Sequence, residues 1–363
     1  MKMKHTTILA LLTALLLTAC APAVRNPAKD TTPPTVADIF NESTEAVEPP
    51  QTTSAVEETE GAAPQTALVG SIGLGFGDEV STDEKGSYRI YSGGEMILPV
   101  KLTTSGTIAE RGIGMLLFVD GKPQPYKTET EPEYAYLHTF FQGQGPKVYD
   151  LSFTPITGQT GEVLELYIAT VLSPTYSLSE GMIGMVYTSG SMNVSLRLKY
   201  EQTPPEEVFL ENQLSLSNTT VSFVDTEAAD IQGWSNDDLR ERIAYTIDIN
   251  GIDETRQRVV HEVSADTPVN LRYEVWGSPY VDFGLVIYVD NVPVFDSDVG
   301  DLMLDIQNGQ TTVVETQLNL DQFDGESVVY AVLVPRNYRT NEVMTSAGLT
   351  CTKPIFLIAE TAQ

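Results

Sequence analysis

One ten-residue stretch occurs twice, and it constrains the fold more than anything else in the chain. Gly114–Pro123 reads Gly-Met-Leu-Leu-Phe-Val-Asp-Gly-Lys-Pro, and Gly284–Pro293 reads Gly-Leu-Val-Ile-Tyr-Val-Asp-Asn-Val-Pro, at an offset of 170 residues (Gly114 to Gly284). Gly, Val, Asp and Pro recur unchanged, and the run between them stays apolar. Each copy has the form of a buried strand entering an Asp-Gly or Asp-Asn turn, the strongest short hairpin signal. Repetition at this separation points to a copied domain rather than to a solenoid of small units.

Length and charge narrow the reading further. With 363 residues the chain has room for two domains, each large enough to bury a core. Asp and Glu number 50 against 21 Lys and Arg, a formal charge of −29. Such acidity disfavours nucleic acid, which is held by basic contacts to phosphate. It also disfavours anionic lipid surfaces, so membrane attachment would need a hydrophobic anchor.

The N-terminus offers that anchor. The basic start Met1-Lys2-Met3-Lys4-His5 leads into the apolar run Ile8–Leu17, which is short for a membrane span and has the form of a signal peptide. Leu17-Thr18-Ala19-Cys20 then resembles the lipobox of bacterial lipoproteins. The resemblance implies removal of residues 1–19, a thioether-linked diacylglyceryl group on Cys20 and a further acyl chain on the new amine. Two or more chains hold a protein stably on a bilayer, where one is marginal. The other cysteine, Cys351, is expected to be a small buried hydrophobe.

Residues 20–67 are rich in Thr, Pro, Ala and Glu, with Pro33-Pro34, Pro49-Pro50 and Glu57-Glu58-Thr59-Glu60. This composition buries too little apolar surface to offset ordering entropy and predicts a disordered spacer; Val36, Ile39 and Phe40 are its one apolar island. A first folded unit is expected over 68–203 and a second over 204–363, divided at Thr203-Pro204-Pro205-Glu206-Glu207. In the first, Ile72, Leu74 and Phe76 alternate with glycines, a strand with one bare face. No Gly-Lys-Ser/Thr follows, so a phosphate cradle is not indicated. Short strands continue through both units, no amphipathic helix is evident in the first, and Ser235-Asn236-Asp237-Asp238 has the spacing of a helix start in the second. Asn250-Gly251 marks another tight hairpin.

The duplication extends outside the opening stretch. Met96, Leu98, Val100 and Leu102 match Val269, Leu271, Tyr273 and Val275 at an offset of 173 (Met96 to Val269). Gly161-Glu162 before Leu164, Leu166 and Ile168 matches Gly325-Glu326 before Val328, Tyr330 and Val332 at an offset of 164 (Gly161 to Gly325). Many short strands with Gly, Pro and Asp turns predict an all-β fold of two tandem antiparallel β-sandwiches. The pattern resembles immunoglobulin-like or fibronectin type III-like domains, without the paired cysteines and central Trp of antibody-type domains.

Catalytic signatures are sparse. Outside the signal segment the only histidines are His138 and His261, one per unit, with no nucleophile or base pattern around them. Gly-x-Ser-x-Gly, His-Glu-x-x-His and Cys-x-x-Cys are all missing. Two ligand classes keep candidates. Asp296, Asp298, Asp301 and Asp305 cluster as hard oxygen donors of the kind calcium takes, though outside the twelve-residue loop pattern. Trp234, Trp276 and Tyr280 could stack on sugar rings if exposed, against the competing expectation that they pack in the core.

The sequence therefore predicts a lipid-anchored, extracytoplasmic, non-enzymatic pair of sandwiches on an acidic stalk. It would be tied to the membrane through Cys20 and would contact an extracellular protein or, in the alternative, a glycan. No cofactor other than the lipid, with calcium as the weaker candidate, and no nucleic acid are expected.

Overall fold

A computed structural model of the chain describes residues 70–78, 80–141, 145–178, 188–205, 215–225, 243–253, 260–264, 267–277, 281–319, 325–338 and 348–360. All of them fall in one compact unit, Gly61–Gln363. The signal segment, the stalk, Trp234, Tyr280 and the expected helix near Ser235 lie outside the described residues.

Eleven strands come from the first half: β1 (Ile72–Phe76), β2 (Ser81–Asp83), β3 (Gly86–Tyr91), β4 (Met96–Thr104), β5 (Ile113–Val119), β6 (Lys122–Pro123), β7 (Lys127–Thr128), β8 (Leu137–Phe140), β9 (Gly145–Phe153), β10 (Val163–Leu172) and β11 (Thr188–Tyr200). The second half supplies β12 (Ser215–Asp225), β13 (Ile243–Ile249), β14 (Ile252–Asp253), β15 (Val260–Ser264), β16 (Val269–Gly277), β17 (Val281–Val289), β18 (Val292–Asp296), β19 (Leu302–Asp305), β20 (Gln310–Leu318), β21 (Gly325–Tyr338), β22 (Thr350–Cys351) and β23 (Ile355–Glu360). One six-residue helix, α1 (Gly106–Arg111), interrupts the first half and ends at Gly112, whose φ of 81° stops it. The sequence showed no helix there, because six residues are too few for a helical apolar period to register.

Both halves are two-sheet sandwiches, and their strand orders correspond. The first stacks β1-β4-β9-β7 on β2-β3-β11-β10-β5-β6; the second stacks β14-β13-β16-β20-β12 on β18-β17-β21-β23-β15. In each, an early strand lies parallel to the last one, β3 with β11 and β15 with β23, among otherwise antiparallel neighbours. A parallel contact between β12 and β18 at Ser215 and Leu216 joins the two sheets of the second half. Leu98, Val100, Leu117 and Leu151 meet in the first core, and Leu271, Tyr273, Phe283 and Val314 in the second.

The repeat stretch becomes β5 and β17, and both hairpins form as their sequences predict. Asp120 and Gly121 have φ of 51° and 77°, Asp290 and Asn291 50° and 67°. Positive φ at both central residues is the turn whose twist matches antiparallel strands. Asn250 and Gly251 repeat the arrangement at 51° and 82°.

Why the repeat is apolar at every position is answered by a third core. Met115, Leu117 and Val119 point into the first sandwich, while Leu116 and Phe118 point out of it. Likewise Leu285, Ile287 and Val289 fill the second core, and Val286 and Tyr288 leave it. The outward sets meet each other, so the sandwiches pack sheet against sheet through their duplicated strands. Phe118 meets Tyr288 edge-on at 6.3 Å and 88°, and Tyr288 stacks on Tyr330 at 5.1 Å and 8°. Strands buried on both faces read as unbroken apolar runs. Polar contacts ring this core: Arg336 Nε donates to Asp120 O at 2.7 Å while its Nη2 pairs with the Asp120 carboxylate, and Lys122 pairs with Asp301 at 2.5 Å. Leu178 N donates to Glu326 Oε1 at 2.6 Å.

One expected correspondence is shifted. Along β10 and β21 the equivalent residues are Tyr167 and Tyr330, which face Phe118 and Tyr288, an offset of 163 (Tyr167 to Tyr330) rather than 164. The 164 alignment matches Leu166 and Ile168, which face the first core, to Tyr330 and Val332, which face the interface. A one-residue slip in a strand exchanges its faces.

Candidate functional site

The second half carries an expanse of sheet that the other described elements leave open. It begins in β12, a single strand of eleven residues. The pairing of β12 with β20 shifts register between Ser217 and Thr220, at Asn218, whose φ is 54°. Such a bulge bends a strand. Before it, β12 pairs with β18 on its other side; after it, no further pair with β18 forms. Asp296 takes over there: its Oδ2 accepts from Thr219 N at 3.1 Å, and its Oδ1 from Asp298 N at 2.9 Å. Burial alone would raise the Asp296 carboxyl, but the bonds from Thr219 and from the backbone of Asp298 and Val299 hold it below the usual carboxylate range.

Past the bulge the strand is uncovered. Every residue from Thr220 to Asp225 is exposed, on both faces. Val221, Phe223 and Val224 expose 41%, 43% and 45% of their surface, although Val221 and Phe223 pair with the fully buried Val314 and Thr312. No charged residue lies between Ser215 and Val224.

Beside this edge, the outer face of β13, β16, β20 and β12 forms an open cleft of about 430 Å³. A chain of carboxamides crosses it: Asn218 Nδ2 donates to Gln317 Oε1 at 2.6 Å, Gln317 Nε2 to Asn270 Oδ1 at 3.0 Å, and Asn270 Nδ2 to Asn250 Oδ1 at 3.4 Å. One row over, Arg272 bridges Glu274 at 2.6 Å and Glu315 at 2.5 Å, and the Glu274 hydrogen bond, with that of Glu315, raises its already high pKa. The outward face of β20 places these groups by strict alternation, with Glu315 and Gln317 out and Val314, Thr316 and Leu318 in.

Among the described residues, those singled out from the sequence do not converge on one site. Trp276 sits at the end of β16 with 6% of its surface exposed, so its ring offers no open face for stacking. Trp234 and Tyr280 lie outside the described residues. Asp296 is 2% exposed and spent on the bulge, Asp301 is paired with Lys122, and Asp305 ends β19. Asp298 lies exposed in the turn between them. Among the described residues no three carboxylate, His or Cys groups are placed to hold a metal ion. His138 is buried, its Nε2 at 2.7 Å from Tyr126 O and its Nδ1 on Glu131; His261 is buried in β15. The carboxamide row and the open edge could not be found from sequence alone: Asn and Gln carry no spacing signature, and an edge is defined by which strands fail to pair.

No family model matches the chain, and no curated protein does. Among solved structures it is similar to fibronectin(III)-like modules of Clostridium thermocellum CbhA, at 8% identity over 80% of this chain and 95% of that one, with a TM-score of 0.19. The C-terminal domain of the Streptococcus agalactiae AgI/II polypeptide BspA aligns at 10% identity over 80% and 100%, TM-score 0.19. The N-terminal Ig1-2 module of the Drosophila receptor protein tyrosine phosphatase DLAR aligns at 10% over 79% and 98%, TM-score 0.21. The fold class, all-β with two-sheet sandwiches, rests on the strand pairing itself rather than on these scores.

Proposed function

We propose that the chain is a lipid-anchored, extracytoplasmic binding protein that works through protein contacts and carries out no catalysis. The observation that carries the reading is the open, uncharged edge of β12 in a chain whose net charge is −29. Exposed edges are normally blunted by charge, proline or brevity, and one left bare on a surface otherwise rich in carboxylates is suited to contact. The anchor rests on Leu17-Thr18-Ala19-Cys20; among the described residues no helix is long and apolar enough to cross a membrane.

A second reading, glycan recognition, draws support from the carboxamide row rather than from the tryptophans. Carboxamides donate and accept together, as neighbouring sugar hydroxyls do, and a cleft bordered by Asp248 and Glu315, with Arg272 already paired to Glu315, favours neutral sugars over anionic ones.

One experiment on intact cells separates the readings. A photo-crosslinking residue is placed at Ser222 on the edge, at Asn270 in the cleft and at other exposed positions. Protein adducts are expected; adducts sensitive only to glycosidases, from Asn270, would favour the glycan reading, and an absence of protein adducts from every position would end the leading one. In the same cells Cys20→Ala should move the protein out of the membrane fraction, and its retention would refute the anchor.

A further inference from the structure

We infer that the edge of β12 from Thr219 to Asp225 is a docking strand, and that its occupant is an extended segment of a partner protein that joins the sheet as a further strand. This rests on the protein-contact reading and names the partner's form.

Three observations carry it. First, the ladder ends for a built reason: Asn218 turns the strand away from β18, and the Asp296 carboxylate takes the Thr219 N–H that the ladder would otherwise have used. Beyond that point one side of β12 is bonded to β20 by consecutive pairs from Thr220–Glu315 to Asp225–Gln310, and no strand of the described residues pairs with the other side. An extended peptide fits such an edge because its own backbone groups complete the ladder, while alternate side chains read the two faces. Second, the side chains fit an apolar alternation. Val221 and Phe223 lie on the core-facing side, half covered, where a neighbouring strand would finish the sandwich edge, and Ser222 and Val224 face the other way. Third, charge selects the occupant. The stretch from Ser215 to Val224 holds no charge and closes on Asp225, in a chain at −29. A second copy would bring a second −29 to the edge, whereas a neutral strand with a basic residue facing Asp225 meets no repulsion.

The test uses the full chain in detergent and a synthetic probe, an eight-residue peptide alternating Val and Thr with Lys at each end. A second peptide carries N-methyl groups at alternate residues, which removes the donors of one edge. Binding is followed by fluorescence anisotropy, and amide exchange is read at Val221–Val224. The expected result is binding of the first peptide with slowed exchange at those amides, at least tenfold weaker binding of the N-methylated one, and at least tenfold loss in Phe223→Lys and in Val221→Lys. Amide exchange in β16 and β21 of these variants, unchanged from the parent, verifies that they are folded. Equal binding of both peptides overturns the inference, as does binding that leaves the β12 amides unprotected, or no binding at millimolar peptide. So does a dimer of the chain, seen by sedimentation, that Phe223→Lys dissolves, since the occupant is then a second copy. Crosslinks on cells to a protein from positions outside β12 alone would leave the protein-contact reading standing and remove this one.

Discussion

Asp120 and Asp290 hold the same turn position in the two sandwiches and are used differently. The Asp290 carboxylate stays within its own half, accepting from Ser327 Oγ at 2.8 Å and Val328 N at 2.9 Å, and burial still pushes it above the usual carboxylate range. The Asp120 carboxylate crosses to Arg336 of the other half. The repeated glycines diverge as well. A Cβ on Gly284 would run into the backbone oxygen of Gly121, which cannot move without the hairpin, whereas one on Gly114 would meet Leu137 Cδ1 at 2.7 Å, the end of a flexible side chain. Gly284→Ala should therefore cost about 1–3 kcal/mol, the usual range for overpacking, and Gly114→Ala distinctly less. Urea unfolding of both variants checks the order, and equal losses would contradict it.

Asp83 gives a residue-scale test of pH dependence. A hydrogen bond from Lys199 Nζ at 2.9 Å leads the causes that, with the Lys85 backbone and Arg197, bring it from 3.8 to about 2, although partial burial pulls the other way. Because its folded value lies below the unfolded one, its contribution is intact above about pH 4 and is lost as the pH falls toward 2. Carboxyl NMR should show Asp83 titrating near 2 and moving upward in Lys199→Ala. An unchanged titration in that variant would show that Lys199 is not the cause.

At the scale of elements, β5 and β17 were legible as strands and as a pair of copies, and their turns followed from Asp-Gly and Asp-Asn. Their second buried face was not, because an apolar residue facing another domain looks the same as one facing its own core. For the same reason the match of β10 to β21 slipped by one: both faces are apolar, so alternation no longer identifies the register. In β12 the opposite holds. Val221, Phe223 and Val224 have the composition of a buried strand, and only the missing neighbour beyond Leu216 makes them surface.

For the whole molecule, the shared core of Leu116, Phe118, Tyr167, Tyr288 and Tyr330 joins the two sandwiches and should make them unfold together. Both tryptophans, Trp234 and Trp276, belong to the second half, so tryptophan fluorescence reports that half alone. Phe118→Ala, a change in the first half, should cost about 3–5 kcal/mol. It should also lower the fluorescence midpoint of unfolding, and a fluorescence transition that stays in place would mean that the halves unfold independently.

The sequence by itself determined the class of fold, the duplication, the hairpin turns and the expectation of a lipid on Cys20. These depend on local chemistry: alternation, residues that tolerate positive φ, and a short motif after an apolar run. Tertiary structure alone decided that the copied strands face each other, that Trp276 and Asp296 are buried and occupied, and that β12 lies open past Asn218. Those outcomes depend on which surfaces meet, and residues far apart in the chain share no local pattern that announces it.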